Sequence, residues 1–218
     1  MIMSAEQKDI EINNDLDFSI KKGTHQVEIL AFLRNNLPVC TKMLVQEGRN
    51  LCNIEEDAIS REISHLLDDK LRESSGYLFG FEPKEGPDIL IYALPYVPFS
   101  QPLLVIEAKR LRLKSSNDYV KTGIRRFKTE EHGEQHNIAA MLGYVQENDF
   151  DYWFNKVNLW IIALISKEEE SPMWSAEEQI SKIQMTDIGE YKSKHPRITK
   201  GPITLHHFWI NLCNNMYN

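Results

Sequence analysis

Disulfide chemistry has little to work with in this chain. Its 218 residues include three cysteines, Cys40, Cys52 and Cys213. They are too scattered for a disulfide framework and lack zinc-ligand spacing. Reduced, partly buried thiols in a cytoplasmic protein are the expectation. No run of eighteen apolar residues exists, so no membrane span is expected. Met1 to Asn14 is polar and acidic, without the apolar core of a secretory signal. Repeats, low-complexity tracts and linkers are also missing. Excess positive charge is lacking too: the net charge is −7. That excludes a surface that binds nucleic acid all over, so any polyanion site must be a local basic patch on an acidic body.

What is present is an ordinary globular balance, 42% apolar and 26% charged, far from the disordered regime. The length suits one domain spanning 1–218. Gln26 to Asn35 carries Val27, Ile29, Leu30, Phe32 and Leu33 and fits a strand or a short helix. Asn53 to Arg72 reads as a helix: Asn53 is a candidate N-cap, and Glu55, Glu56 and Asp57 suit the positive end. Ile59, Ile63, Leu66, Leu67 and Lys70 then form its inner stripe. Strands are expected at 76–82 and 88–93, joined by a turn at Lys84 to Pro87. A loop holding Pro95, Pro98 and Pro102 follows, then a strand from Leu103 to Lys109. Its near-continuous apolar run indicates cover on both faces. Beyond a basic connector, the pattern suggests a helix over 134–146, with Ile138, Met141, Leu142 and Val145 inward, and a buried strand over 157–166. Residues 168–193 read as loosely structured with a short helix near 176–183, and 203–212 as a final strand.

Chemistry concentrates at the end of the third strand. Positions two apart in a strand share a face, so Glu107 and Lys109 point the same way, with Ala108 turned into the packing. A carboxylate and an ammonium closing a buried strand are costly without a use. The preceding strand brings Asp88 alongside Glu107. Two such carboxylates are the hard oxygen donors that Mg²⁺ takes, and a neighbouring lysine can hold and help deprotonate a water. The bland alternative is a surface hairpin with a Glu107–Lys109 salt bridge.

Pro87-Asp88 followed by Glu107-Ala108-Lys109 resembles the motif of the PD-(D/E)xK, or restriction endonuclease-like, nuclease superfamily. The likeness covers about 53–166 and implies an α/β fold. Its core would be a helix, three strands, a helix and a strand around a mixed sheet, with N- and C-terminal additions. It implies a Mg²⁺- or Mn²⁺-dependent nuclease hydrolysing phosphodiester bonds, DNA favoured over RNA. Asp88 and Glu107 would be metal ligands, with the Ala108 carbonyl as a further one and Lys109 as the catalytic lysine. The family places a further carboxylate on the first helix. Glu55, Glu56 and Glu62 compete, and Glu56 lies nearest the centre of the apolar stripe. Around the motif, Ile106 to Leu111, Gly123 to Phe127 and Met141 to Val145 are similar to restriction-like bacterial proteins, implying a defence or mobile-element setting, such as that of an anti-phage effector. A partner protein that activates or targets the nuclease, or a catalytically silent nuclease-fold subunit, fits the same residues.

The connector supplies the basic patch. Lys109, Arg110, Arg112, Lys114, Lys121, Arg125, Arg126 and Lys128 are opposed only by Asp118. Arg110, Arg112, Lys121, Arg125, Arg126 and Lys128 are the candidate nucleic-acid contacts, against the alternative of a solvated loop. His132 and His136, four apart, resemble polar residues that some family members present from the second helix, or are plain hydrogen-bonding residues; no third zinc ligand accompanies them. Of His206 and His207 only one can face inward. The four tryptophans, Trp153, Trp160, Trp174 and Trp209, suit a core or interface better than base stacking.

Overall fold

In the computed structural model, which describes residues 5–46, 51–72, 77–81, 86–93, 102–114, 117–167 and 172–213, the apolar run before Glu107 lies inside a seven-stranded mixed sheet. The elements in chain order are α1 (Ala5–Gln46), α2 (Glu56–Arg72), β1 (Tyr77–Phe81), β2 (Ile89–Ala93), β3 (Leu104–Leu111), a π-helical turn (Tyr119–Ile124) continuous with α3 (Arg125–Lys128), β4 (Ile138–Val145), α4 (Phe150–Ile165), β5 (Ser181–Met185), β6 (Ile188–His195) and β7 (Ile203–Asn211). The strand order is β1-β2-β3-β4-β7-β6-β5. The β3–β4 and β4–β7 pairs are parallel, and the others antiparallel. The chain is therefore α/β with a mixed sheet, as expected. Residues 94–101 and the turn residues Lys84 and Glu85 lie outside the described set.

Helices cover both faces. On one face, α1 and α2 bury Ile29, Leu33, Leu37, Ile59, Ile63 and Leu67 against Ile89, Leu104, Ala108 and Leu142. The undecided segment 26–35 is helical, part of α1, because its buried residues run on at helical spacing through Cys40 and Leu44. Arg34 docks α1 onto β6 through a bidentate pair with the buried Glu190, at 2.6 and 2.7 Å. On the other face, the π-turn, α3 and α4 bury Tyr119, Ile124, Phe127, Trp153 and Val157 against Val105, Met141 and Trp209.

Two expectations are reversed. Residues 138–145 form β4 rather than a helix: inserted between β3 and β7, every residue from Ala139 to Val145 is buried, so no polar face was needed. Residues 150–165 form α4 rather than a strand. Asp149 caps it, accepting a hydrogen bond from the Tyr152 amide at 2.7 Å, and Trp153, Val157, Ile161 and Leu164 make its inner stripe. The stretch 168–193 holds a 3₁₀ turn (Ala176–Glu178) and strand β5, and β6 begins at Ile188. The final strand, β7, is no peripheral addition, since it pairs with β4 and β6 inside the sheet. Gly143 makes this possible, because a Cβ there would run into the Trp209 indole and Leu111. Trp153, Trp174 and Trp209 are buried. No helix among the described residues is long and apolar enough to cross a membrane.

A polar chain threads the second core. The Trp209 indole donates to the Tyr119 hydroxyl, and that hydroxyl meets His207 Nδ1. His207 Nε2 and His195 Nε2 both contact Ser193 Oγ, and His195 Nδ1 contacts Glu178. An indole can only donate and a carboxylate only accept. The proton order is thereby set throughout, with hydrogen on Nε2 of His207 and on Nδ1 of His195. Burial holds both imidazoles neutral, their pKa values pushed below the ordinary histidine value. Lys128 completes the end of the chain, paired with Glu178 and lying over the Trp174 ring.

Candidate active site

Alternation along β3 puts Ala108 fully into the first core and leaves Glu107 and Lys109 together on the opposite side. Asp88 immediately precedes β2. Its Oδ2 accepts the Ala108 backbone N–H at 2.6 Å, which pins it beside the motif. Glu56 opens α2 and reaches over the end of β3: Oε1 accepts from Lys109 Nζ and Oε2 from the Arg110 amide, each at 2.9 Å. Asp88, Glu107, Lys109 and Glu56 thus converge from three elements, and of the competing glutamates it is Glu56 that bonds the lysine. Glu55 instead pairs with Arg110 at 2.8 Å.

Glu107 is fully buried under three cationic or potentially cationic groups. Its Oε1 lies 2.8 Å from Lys109 Nζ and 2.9 Å from Arg126 Nη1. Its Oε2 lies 3.0 Å from His132 Nδ1, an ion-pair distance without hydrogen-bond alignment. Burial alone would raise its pKa, but the contacts with His132 and Lys109 prevail and hold it below the ordinary glutamate value. For Lys109, burial is outweighed by Glu107, Glu56 and Asp88, so its pKa stands above that of a free lysine. In this arrangement it is an ammonium that donates hydrogen bonds, and it has no lone pair with which to deprotonate a water.

Asp88 differs. Burial first, then the neighbouring Glu107, push its pKa up to about 7, against opposing pulls from Lys109 and the Ala108 N–H. Folded Asp88 therefore holds its proton more tightly than in the unfolded chain. Without added metal, the contribution of Asp88 to stability should fall as pH rises from about 4 to about 7, then level off. Asp88→Asn should remove that slope and be roughly 1–3 kcal/mol more stable than wild type at pH 8. Urea midpoints at pH 5 and pH 8 test this; a variant no more stable at pH 8 would contradict it.

The donor chemistry suits a divalent cation. Asp88 and Glu107 offer hard oxygens, Glu107 Oε2 has no hydrogen-bond partner, and a cation would relieve the repulsion that raises Asp88. The Ala108 carbonyl faces the same cluster, where it accepts from Lys109 Nζ at 2.8 Å. Among the described residues, no three His, Cys, Asp or Glu side chains are gathered as a ready ligand group. The Lys109 ammonium stands between the carboxylates.

Models of known families, curated proteins and solved structures contain no match to this chain.

A pocket of about 420 Å³ adjoins the cluster, lined by Glu55, Glu56, Asp57, Lys109, Arg110, Asp118 and Thr122. Four carboxylates there face two cations. The connector's bases divide into groups. Arg110 and Arg126 are held by Glu55 and Glu107. Lys128 is no phosphate contact: it is fully buried, paired with Glu178, and its ammonium lies over the Trp174 ring. Arg112, Lys121 and Arg125 remain partly exposed, without an ion pair among the described residues. Gly123 lets the π-turn lie close, because a Cβ there would come within 2.7 Å of Met141 and 3.3 Å of the Lys109 stem. His132 and His136 do not share a helix face. His132 turns to Glu107, while His136 Nε2 contacts the Pro102 carbonyl at 2.8 Å. The contact of His132 with Glu107 spans a chain reversal and leaves no mark in spacing.

Proposed function

We propose that this chain is a metal-dependent nuclease of the PD-(D/E)xK type, acting on nucleic acid, DNA in preference to RNA, in an anti-phage defence setting. The observation that carries the reading is the convergence of Asp88, Glu107, Lys109 and Glu56 at one strand end. The element order α2, β1–β3, α3, β4 supports it, being a helix, three strands, a helix and a strand. Asp88 and Glu107 would hold Mg²⁺ or Mn²⁺, with the Ala108 carbonyl as a further donor. The ion would supply Lewis acidity toward a phosphodiester. Lys109, kept protonated by its carboxylates, would donate to a phosphate oxygen and offset developing negative charge. Glu56 orients that ammonium. The acidic pocket beside Lys109 would repel a bare phosphodiester, which accords with a requirement for a cation.

The test is cleavage of labelled duplex and single strands with Mg²⁺, with Mn²⁺ and with EDTA, in wild type and Asp88→Asn. Metal-dependent cleavage lost in the variant supports the reading; cleavage unaffected by either change refutes it. A second reading, a silent subunit that binds nucleic acid or a partner protein, is favoured by the occupation of Glu107 by Lys109 and Arg126. It forecasts binding without turnover.

Lys121 and Arg125 are four apart on one helical face and partly exposed. If both contact phosphates, replacing them with alanine should flatten log affinity against log salt by roughly 1.8 on duplex DNA, leaving metal binding intact. An unchanged slope would remove this face from the interface.

A further inference from the structure

The sequence scatters Cys52 and Cys213, but the fold brings them together. Cys52 lies in the 3₁₀ turn Leu51–Asn53, just ahead of α2, and Cys213 follows β7. The end of β4 joins them. Leu212 N–H donates to the Val145 carbonyl at 2.9 Å, and Cys213 Sγ stands 3.8 Å from that same oxygen. Cys52 Sγ lies 3.9 Å from the carbonyl of Leu212, the residue bonded to Cys213. The Gln146 amide fastens the turn in place through the Leu51 and Ile54 carbonyls, at 2.8 and 2.9 Å. Cys52 lies close enough to Cys213 to help raise the pKa of its thiol. Both are partly exposed, whereas Cys40 is buried beneath α1.

The geometry points to Cys52 and Cys213 as an oxidisable pair that closes a disulfide with a peroxide, tying the entry of α2 to the end of β7. Cys52, as thiolate, attacks the peroxide O–O bond and becomes a sulfenic acid as hydroxide leaves and is protonated to water. Cys213 then attacks that sulfur, the S–S bond forms, the S–O bond breaks, and a second water departs. Two thiols lose two electrons, and one peroxide becomes two waters. Burial, with Cys52 beside it, pushes the Cys213 thiol up to about 12, so the closing step should quicken as pH rises. The bond, about 2.05 Å long, closes a long loop in the unfolded chain, so the oxidised form should melt higher. The disulfide would also restrain the segment that presents Glu56, four residues beyond Cys52. None of this rests on the nuclease reading.

The full-length chain is treated with hydrogen peroxide at pH 7.0 and 8.5, blocked with an alkylating reagent, and digested without reductant for mass spectrometry. The expected result is a Cys52–Cys213 linked peptide, more abundant at pH 8.5, with Cys40 recovered as alkylated thiol. Cys52→Ser and Cys213→Ser should each lack the link. A rise in the melting temperature of oxidised wild type should disappear on reduction and in either variant. Separate sulfinic acids on Cys52 and Cys213 without a linked peptide, or links that involve Cys40 equally, would overturn the proposal. The wild-type linkage decides it even if a serine variant folds poorly.

Discussion

Lys109→Met is expected to cleave nucleic acid at least about 100-fold more slowly than wild type, on the proposed reading of the site. Methionine keeps the stem between Gly123 and β3 but deletes the ammonium that faces Glu107, Glu56 and the Ala108 carbonyl. The loss should fall on kcat, because the charge offsets negative charge that develops in the transition state. Stability should fall as well, by roughly 1–3 kcal/mol. That is less than the 3–5 kcal/mol typical of an orphaned buried charge, because Glu107 keeps Arg126 and His132. Single-turnover cleavage and urea unfolding measure the two effects separately. A variant that cuts at the wild-type rate would end the assignment of Lys109. One that is equally stable would show that the buried cluster contributes no net stabilisation.

Glu178→Ala should have the larger effect on stability. The carboxylate is 1% exposed and accepts from Lys128, from His195 and, through its other oxygen, from the Ser175 amide. Removing it strands the ammonium of Lys128, which is fully buried. The expected cost is about 3–5 kcal/mol, or on the order of 10 °C in Tm. Lys128→Met in the same chain should recover much of that loss, since the unpaired charge goes with it. The pH dependence follows from the same groups. Burial alone would raise the pKa of Glu178, but His195 and Lys128 prevail and lower it, so its contribution is present above the unfolded carboxylate pKa and lost as pH falls further. His195 is buried neutral with a lowered pKa, so stability also declines as pH drops below about 6.5. Wild type should therefore lose stability steeply in acid, and Glu178→Ala less steeply. A cost under about 1 kcal/mol would mean that water or rearrangement already serves Lys128.

The features legible in the residues alone are local and periodic. Period-two alternation decided that Glu107 and Lys109 share a side while Ala108 packs. Period 3.6 decided the inner stripe of α2 through Ile59, Ile63 and Leu67. Asp149 followed by Phe150, Trp153, Val157, Ile161 and Leu164 also carried the signature of α4, cap and stripe together, although an apolar run read as a buried strand hides it. The tertiary structure decided what composition leaves open. Ile138 to Val145 is apolar throughout and suits a helix or a strand equally; its place between two parallel neighbours made it β4. Lys128 counts as surface charge in any sum over the chain, yet Glu178, fifty residues on, made it a core residue. Likewise Glu56, picked among three glutamates from the helical stripe, meets Lys109, fifty-three residues on, because α2 begins over the tip of β3. Such contacts are pairings between distant segments. Local preference sets which way a side chain leaves its own element, while long-range packing sets what it meets there.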